Sequence, residues 1–145
     1  MLRTLRMTAA AVAIAPLLLA SGIAVAEPTS IPPDTETTVG GVPVACTGIG
    51  QTKLDPRWSA YPVRVEFSDS HDKYLGDAEI TVWDAHGRPV LSVACAGPWI
   101  LLRLEPGAYK IEGRLPDNAT AKPRTAPFRP PSKGQMRLVL KFPDV

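Results

Sequence analysis

Histidine is nearly missing from this chain: His71 and His86 are the only two in 145 residues. A metal centre needs several His, Cys or carboxylate ligands that converge. With antiparallel neighbours, His71 falls in the loop before the strand Ala78–Asp84 and His86 in the loop after it, so the two stand at opposite ends. Cysteine is as scarce, with Cys46 and Cys95 alone. There is no C-x-x-C spacing and no histidine beside either thiol, so redox catalysis and zinc have little support. Asp69, Asp72 and Asp77 gather around His71, but the spacing of a calcium loop is absent and Lys73 intrudes. Gly48-x-Gly50 lacks the third glycine of a dinucleotide fingerprint, and Pro56 stands where the following helix would run. Ser59, Ser68, Ser70, Ser92 and Ser132 sit in no nucleophile elbow. No catalytic residue, metal or cofactor is therefore expected.

Beyond residue 26 there is no apolar run long enough to span a bilayer, and no long helical periodicity. The one apolar run lies at the start, in "MLRTLRMTAAAVAIAPLLLASGIAVA". Arg3 and Arg6 precede it, Pro16 interrupts it, and Ala24-Val25-Ala26 closes it as a small-x-small site. These are the three parts of a secretory signal peptide over residues 1–26. An exported protein, periplasmic or secreted, is expected, with no membrane span after cleavage. Once Arg3 and Arg6 leave, the chain holds 14 basic and 14 acidic residues, which argues against nucleic-acid binding. In an oxidising compartment the two cysteines have one possible pairing, Cys46–Cys95, and two free thiols are the alternative. The long loop between them gives a stabilisation of about 4 kcal/mol in the chain-entropy model.

What the chain does have is turn residues and alternation. Residues 27–38, "EPTSIPPDTETT", read as a flexible Pro-rich lead. Residues 39–60 form a glycine-rich segment expected to pack on the domain. It has a short extended stretch ending near Cys46, and a helical turn at "DPRWSAY" with Asp55 as cap and Pro56 in first position. From residue 61 to 145 the period is two. Val63, Val65 and Phe67 share one face; so do Ala78, Ile80 and Val82; so do Leu91, Val93 and Cys95; and Met136, Leu138, Leu140 and Phe142 close the set. "GPWILLRLEPGAYKI" is expected to be a hairpin, with Pro106 and Gly107 at the centre of a type II turn. About seven short strands with turns between them predict an all-β, antiparallel sandwich with a short N-terminal extension.

The run "YLGDAEITVWDAHGRPVL", then "GPW", then "LEPGAYKI", resembles the carboxypeptidase regulatory-like domain of the transthyretin-like (prealbumin-like) β-sandwich group. Ala78, Ile80, Val82, Asp84, Gly87, Leu104, Pro106, Gly107, Tyr109 and Ile111 carry the likeness, which covers roughly Pro62 to Phe142. It is nearest to short exported bacterial proteins holding this domain alone. The resemblance implies a fold and hands over no catalytic residue. Two enzyme groups share that fold, and neither pattern is met. The chain ends "KFPDV" rather than in the Tyr-Arg-Gly-Ser of hydroxyisourate hydrolases, and it lacks the Tyr and His spacing of intradiol dioxygenases.

Two surfaces remain as candidates for a partner. Arg103 to Lys141 holds nine basic and three acidic residues, and Lys122, Arg124, Arg129 and Lys133 could meet an anionic glycan or another envelope component. Trp99 and Leu101 point away from the core parity and could meet a protein, unless the segment through Cys46 covers them. The expected function is a non-catalytic exported module that binds a partner or ligand or supports the envelope. The alternative is a small transthyretin-like hydrolase.

Overall fold

The computed structural model describes residues 15–17, 19 and 26–145. The expected signal peptide lies almost wholly outside the described residues. Ten strands follow in order: β1 (Thr29–Ile31), β2 (Thr35–Val39), β3 (Val42–Thr47), β4 (Val63–Asp69), β5 (Ala78–Trp83), β6 (Pro89–Cys95), β7 (Trp99–Leu102), β8 (Tyr109–Arg114), β9 (Arg124–Phe128) and β10 (Met136–Phe142). The first sheet has the order β1-β6-β5-β8-β9 and the second the order β10-β4-β7-β3-β2. They pack face to face around one apolar core.

The alternating strands place their residues as period two requires. Val63, Val65 and Phe67 meet Ala78, Ile80 and Val82 in this core, with Leu91, Val93, Ile111 and Phe142. Gly113 of β8 also faces inward. A Cβ there would stand 2.6 Å from the Leu140 side chain, so the missing side chain lets β10 close on the first sheet. Cys46 of β3 and Cys95 of β6 are bonded, 5.6 Å apart at Cα, and tie the second sheet to the first.

Three features differ from expectation. The sheets are mixed: β1 runs parallel to β6, and β10 parallel to β4. Side-chain parity carries no strand direction, so alternation alone could not separate the two. Next, residues 27–38 are more than a flexible lead, since they carry β1 and most of β2. Ile31 is the anchor, only 2 % exposed. Gly40 and Gly41 form the two-residue turn between β2 and β3, at φ 58° and 80°. Positive φ at both positions is what a type I′ hairpin needs.

The third difference concerns the expected hairpin. β7 lies at the centre of the second sheet, whereas β8 lies in the first. "WILL" is buried at all four positions, which suits a central strand covered on both faces. "YKIEGR" alternates and suits a sheet with one open face. The chain between them therefore arches from sheet to sheet. Pro106 and Gly107 form a bend there, and Gly107 takes φ 157° rather than the roughly +80° of a type II turn. The Tyr109 hydroxyl donates to the Glu105 carbonyl at 2.8 Å and holds the corner.

Candidate binding groove

The outer faces of the two sheets differ, and the difference locates the site. Beside the second sheet run two 3₁₀ turns, Gly50–Leu54 and Pro56–Ala60, and the second sets Trp58 against Ala45 of β3 and Leu101 of β7. The Asp55 side chain accepts from the Arg57 amide at 2.9 Å and starts the second of them. Trp58 and Tyr61 then form a small second core with Ala45 and Leu101. The Trp58 indole donates to the Thr52 carbonyl at 2.7 Å, and the Tyr61 hydroxyl to Glu36 at 2.8 Å. Burial and the Glu36 carboxylate push the Tyr61 hydroxyl up to about 12.

Leu101 is fully buried under this cover, and Trp99 is 8 % exposed. Neither is a free partner surface. The Arg64 guanidinium lies 4.4 Å over the Trp99 ring, and Tyr74 meets its edge at 6.2 Å between centroids. Beside them sits Glu66, a carboxylate with no exposure at all. Arg137 of β10 donates to its Oε2 through Nε at 2.6 Å. Arg64 Nε stands 2.9 Å from Oε1, in ion-pair range but off-angle for a hydrogen bond. Sequence reasoning missed this clamp. "VRVEF" puts Glu66 on the outward parity, where an acid reads as solvated, and it is buried by partners from other strands, Trp99 opposite it on β7 and Arg137 of β10, together with Arg64.

Among the described residues, the first sheet has no such cover. Glu79, Thr81 and Trp83 of β5 point outward and are half-buried. Strand register sets their neighbours: Glu79 faces Arg114 of β8, Thr81 stands between Ser92 of β6 and Glu112 of β8, and Trp83 faces Lys110. The Thr81 and Ser92 hydroxyls lie 3.0 Å apart, and Arg114 Nε lies 2.6 Å from Glu112. The Lys110 ammonium stands 4.7 Å over the Trp83 ring. Glu79, Thr81, Trp83, Ser92, Glu112 and Arg114 line a hollow of about 340 Å³, bordered also by Pro28 and by Ala26, the last residue of the expected leader. A second hollow of about 310 Å³ shares Glu79 and continues past Asp77 and Asp117. A third, of about 180 Å³, shares Asp77 and Asp117 and ends at Asn118. The first two run along the open face of the first sheet, and the third carries the shallow groove on among the loops at its end. The inward parity of Ala78, Ile80 and Val82 leaves Trp83 outward, and a large aromatic on an outward face is the signal that could have found the groove.

The basic candidates do not form one patch. Arg124 pairs with Asp144 at 3.3 Å, and the Lys122 amide donates to the same carboxylate at 2.8 Å. The amide from Lys122 is the first cause that holds the Asp144 carboxyl below its ordinary value. Arg129 and Lys133 are exposed, Arg129 beyond the far end of edge strand β9 and beside the Tyr109–Phe128 stack. The extended strand separates Arg124 from Arg129 by about 17 Å.

Of the acids near His71, Asp69 and Asp72 are engaged and Asp77 has no side-chain partner among the described residues. The Asp69 carboxylate accepts from the Lys73 and His71 amides, which hold it below its ordinary value. Asp72 bonds Lys141 at 2.7 Å, and Asp77 takes a positive φ of 56°. Among the described residues, no group of three His, Cys, Asp or Glu is placed to hold a metal ion. Ser70 Oγ lies 3.2 Å from His71 Nδ1, on an exposed turn. His86 sits in the β5–β6 turn beside Arg88. No helix among the described residues is long and apolar enough to cross a membrane. No family model matches this chain, and no curated protein matches it.

Proposed function

We propose that this protein is an exported, non-catalytic β-sandwich of the carboxypeptidase regulatory-like, transthyretin-like kind, which binds a ligand along the open face of its first sheet. The observation that carries this reading is the groove. It is extended, it offers hydroxyls, carboxylates and an aromatic side chain, and it stays open among the described residues. The opposite outer face, by contrast, is sealed by Trp58, Tyr61 and the Glu66 clamp. The Cys46–Cys95 bond and the leader over residues 1–26 support export.

The test is a thermal-shift screen of the exported, processed protein against glycans, peptides and lipid headgroups. Ligands that raise the midpoint should lose their effect in Trp83→Ala and Glu79→Gln and keep it in Lys122→Ala and Arg129→Ala. The reverse pattern would move the site to the basic edge. The hydrolase reading draws on the Ser70–His71 contact alone, which lies on an exposed turn and lines no described hollow. Turnover abolished by Ser70→Ala would replace the binding reading with that one.

A further inference from the structure

We infer that the groove takes an oligosaccharide chain without negative charge, seated on Trp83 at one end and hydrogen-bonded by carboxylates toward the other. This rests on the reading that the groove is the binding face. Its shape is the first argument. The three hollows succeed one another along the sheet, so the occupant is long rather than compact. They are shallow, with polar and apolar lining in similar measure, unlike the deep apolar pockets that bury drug-sized ligands.

The lining chemistry is the second argument. Trp83 is half-buried, whereas Trp58 and Trp99 are 3 % and 8 % exposed. Pyranose rings present an apolar C–H face and a rim of hydroxyls. The face matches an indole, and the rim matches carboxylates and the Thr81–Ser92 hydroxyl pair. Lys110 stands over the ring but is exposed and in no ion pair among the described residues, so it is free to yield the ring to a sugar.

Charge decides the class of sugar. Arg114 is taken up by Glu112. Glu79, Asp77 and Asp117 have no ionic partner among the described residues, so the far part of the groove is acidic. A carboxylate accepts hydroxyl or ammonium protons strongly and repels sulfate, phosphate and uronate. The groove thus selects against the anionic glycans that the basic stretch had suggested.

The experiment titrates the exported, processed protein with chitohexaose, cellohexaose, a glucosamine hexamer and a heparin-derived hexasaccharide, followed by tryptophan fluorescence and calorimetry. At least one of the first three should bind saturably. The heparin fragment should bind at least about tenfold more weakly. Glu79→Gln and Asp117→Asn, both on the surface, should each weaken the uncharged or cationic sugar by about three- to tenfold, and Trp83→Ala by more. The two carboxylate variants keep the test decisive if Trp83→Ala misfolds.

Absence of saturation by all three sugars, or binding indifferent to the carboxylate variants, overturns the inference. Non-sugar ligands lost in the same variants would then leave the groove standing as a binding face with another ligand. If no ligand of any class responds to those variants, the groove reading goes as well.

Discussion

The two outer faces of this sandwich start from the same strand pattern and end in opposite states. Thr81 of β5 and Leu101 of β7 both point away from the main core. Leu101 is fully buried beneath Trp58 and Tyr61, whereas Thr81 lines an open groove. Two acids repeat the contrast. Glu66 is sealed between Arg64 and Arg137, and Glu79 lies free in the groove. Parity tells which side of a sheet a residue takes, and what lies over that side decides its role. One face is closed and adds to stability, and the bare one is the face proposed for recognition.

The largest loss should fall on neither face. Cys46→Ser, or reduction of the bond, releases the tie between the sheets and should lower stability by about 4 kcal/mol in the chain-entropy model. Denaturant melts with and without reductant measure it, and the exported form should be lighter than the reduced chain by two hydrogens. Two freely alkylated thiols in the native protein would contradict the pairing. The next effect separates the faces. Leu101→Ala should lose about 2–5 kcal/mol, as a core truncation does. Thr81→Ala should lose no more than about 1 kcal/mol, because Ser92 keeps a bond to the Ile80 carbonyl at 3.3 Å. Equal losses would mean that the two faces are not distinct.

Much of this was legible in the residues. Inward parity at Val63, Val65, Phe67, Ala78, Ile80 and Val82 marks the core, and Cys95 shares that parity. Other features left no local trace. "LEPGAY" has the Pro-Gly signal of a tight turn, yet it arches between sheets, because four buried residues in "WILL" commit β7 to the interior of the second sheet. The apolar outward pair Trp99 and Leu101 was a usable clue: outward apolar residues need a cover, supplied for Leu101 by the segment that Asp55 and Pro56 start and for Trp99 by Arg64 and Tyr74. "TETTVGGV" held a hairpin signal in its two glycines, hidden by a polar strand that reads as a lead. The groove is the least legible part. Its acids and hydroxyls look like any solvated face until four strands bring them side by side.

The acid pair gives a smaller test of the same contrast. Glu66→Gln removes the charge that Arg64 and Arg137 share. Both arginines can turn partly to water, so the loss should be about 1–3 kcal/mol rather than that of a fully stranded charge. Glu79→Gln should change stability by less than about 0.5 kcal/mol. The first variant should touch stability alone and the second ligand binding alone. A Glu79→Gln protein that melts as early as Glu66→Gln would place Glu79 in the scaffold.

The smallest effect appears only in alkali, and it tests the cover itself. Tyr61 closes the second sheet's outer face with its hydroxyl on Glu36, and its hydroxyl titrates near 12 rather than 10. The folded state thus favours the protonated phenol. That contribution is fully present below pH 10, where the unfolded chain also keeps the proton, and it is lost as pH rises from 10 through about 12. Above pH 10 the cover should therefore loosen, since an ionised Tyr61 would face the Glu36 carboxylate. The open face carries no matching tyrosine among the groove's lining residues. Near-UV circular dichroism of the aromatic cover, compared between the parent and Tyr61→Phe, follows the change. The variant lacks the phenol and should show a flatter profile between pH 10 and 12. If both proteins lose signal in parallel, the alkaline weakness lies elsewhere and the Tyr61–Glu36 bond is not what holds the cover down.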